Sequence, residues 1–112
     1  MLVTYGGNMS EQDSRDAKLF LLETPSVVGR LREAIRLLNQ AETERQANNL
    51  KTIAMRVGAA QIRDEAWRIE LVAREGDLKY ARTLFGRLRG DLARVSDELA
   101  EHLSLEAGSG SR

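Results

Sequence analysis

From residue 15 to residue 103 the apolar side chains recur at spacings of three and four, the period of a helix that buries one face. Five helical segments follow from that rhythm. A short one, Arg15 to about Leu22, carries Leu19, Phe20 and Leu22 and is expected to lie across the others as a lid. Thr24 as an N-cap and Pro25 at the first helical position, where a missing N–H is harmless, open the second. Its stripe is Val28, Leu31, Ile35 and Leu38, and Asn39-Gln40 is the expected turn. The third runs over about 41–57, with Glu42 and Glu44 near its start and Lys51 and Arg56 near its end, in keeping with the helix dipole, and Gly58 supplies a left-handed stop. The fourth, about 60–75, places Ile62, Ala66, Ile69 and Ala73 inward, with Trp67 and Leu71 at its flank; Gly76 ends it and Asp77 caps the next. The last, about 78–103, carries the seam Ala81, Leu84, Leu88, Leu92, Val95, Leu99 and Leu103 over roughly 39 Å. Its basic residues crowd its first half and its acidic ones the second, against the dipole, so packing must hold it, helped by Arg87–Asp91 and Arg94–Glu98 at i,i+4.

Composition agrees with one small domain. A single proline, 4% aromatic and 42% hydrophobic residues in 112 favour helix over a sheet sandwich. The expected fold is all-α, an antiparallel four-helix bundle with a short N-terminal helix. Residues 15–103 form the bundle, 1–14 a flexible N-terminal tail, and 104–112, which ends Gly108-Ser109-Gly110-Ser111-Arg112, a flexible C-terminal one. With 17 basic and 17 acidic side chains the formal charge is zero, so neither nucleic acid nor an anionic membrane is an expected partner. No apolar run is long enough to span a bilayer, and a cytoplasmic location is expected. Cysteine is absent and His102 is the only histidine, which leaves no thiolate or His-rich metal site; no metal or cofactor is expected. There is no Gly-rich phosphate loop, nucleophile elbow or HExxH pair, so an enzyme is not expected either.

The third segment has two distinct faces. Thr43, Ala47, Leu50, Ala54 and Val57 share the inward one, while Glu44, Asn48, Lys51, Thr52, Met55 and Ala59 share the other. The stretch Ala47-Asn48-Asn49-Leu50-Lys51-Thr52-Ile53-Ala54-Met55-Arg56-Val57-Gly58-Ala59 resembles the signature of the histidine phosphotransfer (HPt) family, Ala-His-x-Leu-Lys-Gly followed by small residues and an aliphatic-Gly-Ala step. The matching positions are Ala47, Leu50, Lys51, Ala54, Val57, Gly58 and Ala59, and the resemblance continues through Ile62, Ala66, Ile69, Glu70 and Gly76-Asp77. It covers most of residues 20–103.

The resemblance implies a degenerate member, because asparagine stands at position 48 where the family carries its phosphoacceptor histidine. A carboxamide nitrogen has its lone pair delocalised into the carbonyl and is no nucleophile. Thr52 replaces the family's glycine, and Met55 and Arg56 replace small or amide residues that give an aspartyl phosphate room to approach. What the resemblance implies is a pseudo-HPt signalling module that binds a response-regulator receiver domain, or a sensor kinase, without accepting phosphate. In it Lys51 sits beside the receiver's acidic pocket, Met55 and Ala59 give apolar contact, and Glu44, Arg45 and Arg56 form a polar rim around Asn48 and Thr52. Two alternatives stay open. One is a phosphotransfer protein inactivated by His-to-Asn replacement at position 48. The other is a helical scaffold that self-associates through the last helix, where Gly86, Gly90 and Ala93 make a small-residue strip.

Overall fold

The computed structural model describes residues 9–110, with side chains to residue 105; residues 1–8 and 111–112 of the expected tails lie outside the described residues. Four helices follow one another, α1 (Glu11–Arg36), α2 (Gln40–Arg56), α3 (Ala60–Arg74) and α4 (Leu78–Gly110). α2 packs on α1 and α3, and α4 packs on α3 and α1, so the chain is an all-α antiparallel four-helix bundle with sequence neighbours side by side. Among the described residues there is no strand, and no helix is long and apolar enough to cross a membrane.

Each connection is three residues long and each is built alike. Leu38, Gly58 and Gly76, the middle residues, have φ of 56°, 67° and 85°. In each the middle N–H returns to the carbonyl three residues back and the following N–H to the carbonyl five back, as in Leu38 to Ile35 at 3.1 Å and Asn39 to Ala34 at 2.8 Å. That is the Schellman termination of a helix. The residue that completes it also begins the next helix: Asn39 Oδ1 accepts from the Glu42 N–H at 3.1 Å and Asp77 Oδ1 from the Tyr80 N–H at 3.0 Å. Gly58 and Asp77 act as the sequence implied. The first turn is shifted from Asn39-Gln40 to 37–39, because Asn39 is a cap and Gln40 is already helical.

The N-terminal expectation is corrected. There is no separate lid helix and no helix start at Thr24-Pro25, since α1 is continuous from Glu11 to Arg36 with Pro25 inside it. Its start is a capping box at Ser10, whose Oγ accepts from the Asp13 N–H at 3.0 Å while the Asp13 carboxylate accepts from the Ser10 N–H at 3.1 Å. Thr24 caps nothing; it is buried, with no hydrogen-bond partner for its hydroxyl. A proline inside a helix costs about 3 kcal/mol. The inward stripe nevertheless runs through it as Ala17, Phe20, Thr24, Val27, Leu31, Ala34 and Ile35, and Phe20 is 1% exposed. Burying one large apolar side chain contributes roughly 1.5–3 kcal/mol and the cap about 1, so holding Ala17 and Phe20 in register offsets the proline. Residues 9–14, expected in a tail, contain the cap and the first turn of α1, and α4 likewise extends past 103 to Gly110.

The core is otherwise the expected one. Leu31, Leu50, Ile62, Ile69, Leu88, Val95 and Leu99 are fully buried, and Thr43, Ala47, Ala54 and Ala73 with them. Leu38 is not: it is 72% exposed at the left-handed turn position, and Val28 is half-buried while Val27 faces inward. Gly29, Gly86 and Gly90 are solvent-facing, with nothing within 4 Å of where a Cβ would stand, so no close helix approach inside the bundle uses the strip. On α4, Asp91 pairs with Arg94 rather than Arg87.

Pro25→Ala should raise stability by about 2 kcal/mol, read as a higher urea midpoint, because position 25 is exposed and mid-helix. An unchanged midpoint would show that the helix is interrupted there. Leu38→Gly should stabilise by about 0.5 kcal/mol by releasing left-handed strain, whereas Gly58→Ala, which meets open space, should cost about 1 kcal/mol from backbone strain alone.

Candidate functional site

The α2 stripe from Thr43 to Val57 is buried, which turns positions 48, 52 and 55 outward on the middle of the helix. Asn48, Thr52 and Met55 are exposed there, Met55 by 59%. Thr52 Oγ1 donates to the Asn48 carbonyl at 3.2 Å, so the hydroxyl is spent on its own helix. Arg45 is exposed and paired with Glu42, whose carboxyl is held below its ordinary range first by the Gln46 amide at 2.8 Å and then by Arg45. Ala59 does not belong to this face. It is fully buried at the N-cap position of α3, where the connection has already turned inward.

Lys51 is also placed differently from the expectation. Its Nζ lies 3.0 Å from Oε1 of Glu70, a carboxylate on α3 that is almost completely withdrawn from water. Arg74 donates to the other Glu70 oxygen at 3.1 Å and to Glu44 at 2.7 Å. Asn48 Nδ2 reaches both Glu70 oxygens at 3.4 and 3.3 Å, long contacts, but oriented as they must be, since a carboxylate only accepts. A buried carboxylate is tolerable only when charge and hydrogen bonds are brought to it, and here two cations and an amide do so. Glu44, Asn48 and Lys51 are thus tied to α3.

The other edge of the face belongs to α1. Arg56 reaches Glu23 at 3.4 Å, and between the two helices lies an open groove of about 350 Å³ lined by Val27 and Ile53, by Asn49 and Thr52, and by Arg30 and Arg56. Lys51, Arg45 and Arg56 each face a carboxylate of the same chain, so the face offers a partner paired ions rather than a free positive field. Three residues not expected at the site complete it: Glu70, Arg74 and Trp67. Trp67, 49% exposed, lies one turn before Glu70 on α3 as Met55 lies one turn after Lys51 on α2; in antiparallel helices both fall on the same side of the ion pair. Glu70 carried a signal, since it stands in the middle of an apolar helical stripe between Ile69 and Ala73, where a charge needs a partner.

Asn48 offers no nucleophile to a phosphoryl group. His102 is half-buried on α4, which does not pack on α2; by helical rise it lies roughly 36 Å along α4, against roughly 12 Å for Asn48 along α2 from the same end. Among the described residues no group of three or more His, Cys, Asp or Glu side chains is arranged to hold a metal ion. No protein-family model, curated protein or solved structure matches the chain. The functional reading therefore rests on the chain's own residues.

Lys51→Leu should destabilise the bundle by about 1–3 kcal/mol, with Arg74 and Asn48 still partnering Glu70 and limiting the loss. The double replacement Lys51→Leu with Glu70→Leu should cost less than Lys51→Leu alone, since it removes the buried charge together with its partner. Equal denaturation midpoints for wild type and Lys51→Leu would show that the pair does not hold α2 on α3.

Proposed function

We propose that the chain is a pseudo-HPt docking module, in which the α2 face centred on Asn48 binds a response-regulator receiver domain and accepts no phosphate. The observation that carries this reading is the position of Asn48. It stands exposed at mid-helix on the second helix of an antiparallel bundle, at the place in the motif register where the HPt family presents its histidine. Adjacent Thr52, Met55 and Arg56 add bulk around that position and disfavour close approach of an aspartyl phosphate.

Docking relies on apolar and polar contact more than on attraction to an acidic pocket, because Lys51 is committed to Glu70. Met55 is the natural anchor: it is exposed, unbranched and adaptable, with Asn48 and Arg45 as polar surroundings. Signalling then takes the form of occupancy, a receiver held or sequestered rather than dephosphorylated.

The test incubates the full chain with phosphorylated and unphosphorylated receiver domains, measuring complex formation by calorimetry and acid-labile phosphate on the chain. Binding without phosphate is expected. Met55→Asp should weaken the complex about tenfold or more with little change in melting temperature, since the side chain is exposed. Asn48→His with Thr52→Gly should gain phosphate from a receiver that binds. Phosphate on the wild-type chain, or no binding by any receiver together with an oligomer that Arg87→Glu dissociates, would replace this function with phosphotransfer or self-association respectively.

A further inference from the structure

The flank of α3 opposite Glu70 carries a pair of carboxyls. Glu65 on α3 faces Asp91 on α4, and the two are provided for unequally. Asp91 Oδ2 accepts from the Gln61 amide at 2.9 Å and Oδ1 from the Arg94 guanidinium, which makes it a well-bonded anion. Glu65 Oε1 is cut off from solvent and receives no hydrogen bond. Two carboxyls in contact, with Gln61 and Arg94 both bonded to Asp91 and Gln61 the one donor that also serves Glu65, fit a single arrangement: Glu65 as the acid, its O–H donated to the Asp91 carboxylate.

We propose that Glu65 and Asp91 form a one-proton latch between α3 and α4, closed while the proton bridges the two carboxyls and released when it is lost to solvent. On release the O–H bond of Glu65 breaks, the electron pair stays on its carboxylate and the proton goes to water. Two anions then face one guanidinium, and one of them has a buried oxygen without a donor. Besides Asp91, the charged group acting on Glu65 is Arg94 of α4, with Gln61 from its own helix. The charges that α2 turns toward α3, Lys51 and Glu44, are engaged by Glu70 and Arg74 on the other flank.

Burial first, and then Asp91, pushes Glu65 from its ordinary value of 4.5 up to about 7, while Asp91 is held below its ordinary range chiefly by the hydrogen bond from Glu65. The sign for stability follows. Glu65 is protonated more readily in the folded chain, so its contribution is fully present below about 4.5 and is lost as pH rises through about 7. The Asp91 contribution is present above 3.8 and is lost only in acid. Between pH 6 and 8.5 the latch therefore opens in one direction, on alkalinisation, and it does not depend on the docking reading.

The experiment measures amide exchange of the full chain at Leu88 and Leu92, after correction for intrinsic rates, at pH 6, 7 and 8.5. All variants are made in a His102→Gln background, which removes the one imidazole from the profile. Protection should fall about tenfold across the range, one pKa unit's worth. Glu65→Gln, whose amide donates to Asp91 with no proton to lose, should abolish the fall, and the exposed neighbour Asp64→Asn should leave it intact. A flat profile in the parent, or an equal fall in Glu65→Gln, overturns the latch. Should Glu65→Gln fail to fold, carboxyl-carbon NMR of the parent decides: a Glu65 midpoint near 7 supports the latch, and one in the ordinary carboxylate range overturns it.

Discussion

Three residues separate each helix from the next, and most of the molecule follows from that shortness. A connection so brief leaves no room to cross the bundle, so each helix must return beside its predecessor. The left-handed middle residue closes the last carbonyls of one helix, and the residue after it starts the next, so termination and initiation share one backbone path. Once α2 and α3 are bound to be antiparallel neighbours, Lys51 and Glu70 are brought opposite each other, and the face around Asn48 acquires its chemistry. The unequal lengths, 26 and 33 residues for α1 and α4 against 17 and 15 for α2 and α3, then place the Asn48 face on the short pair while the long pair gives the molecule its 53 Å axis.

That chemistry differs from a charged landing site. The cations of α2 face carboxylates of the same chain, and an ion pair already made has little field left to steer a distant partner. Charge reversal at Lys51 would place a second carboxylate against buried Glu70, so it perturbs the fold together with any interface and is a poor probe of docking. Met55 is the cleaner position because its side chain is exposed and uncharged, whereas Asn48 itself donates to buried Glu70.

The sequence made the helices and their inward faces legible wherever apolar spacing was the signal, as for Thr43 to Val57 on α2, Ile62 to Ala73 on α3 and Leu84 to Leu99 on α4. Gly58, Gly76 and Asp77 were legible because left-handed turns and N-caps call for those residue types. Pro25 misled, since local preference for a first-turn proline was overruled by a stripe that continues on both sides of it. Leu38 misled for the converse reason: its place in the apolar rhythm suggested burial, whereas the backbone had already turned. For the candidate site, the outward direction of Asn48, Thr52 and Met55 could be read from periodicity. The engagement of Lys51 could not, because it depends on the register between two helices that spacing within either one does not encode. Ala59 faces inward because the α2 rotation does not continue past Gly58, where the chain is no longer α2.

On α3, two carboxylates five residues apart meet the same problem with different solutions. Glu70 lies against α2, where Lys51, Arg74 and Asn48 converge, and its charge is balanced by neighbours. Glu65 lies against α4, where Arg94 and Gln61 are both bonded to Asp91 and leave Glu65 Oε1 without a donor, so a proton shared with Asp91 is the counterion of the proposed latch. A contact balanced by fixed cations persists across neutral pH, while one balanced by a proton is only as durable as the proton's residence. The two sides of α3 are therefore unequal in kind: its polar contact with α2 is balanced by fixed cations, and its carboxyl contact with α4 by a proton, beside an apolar seam of Leu88, Val95 and Leu99 that does not titrate.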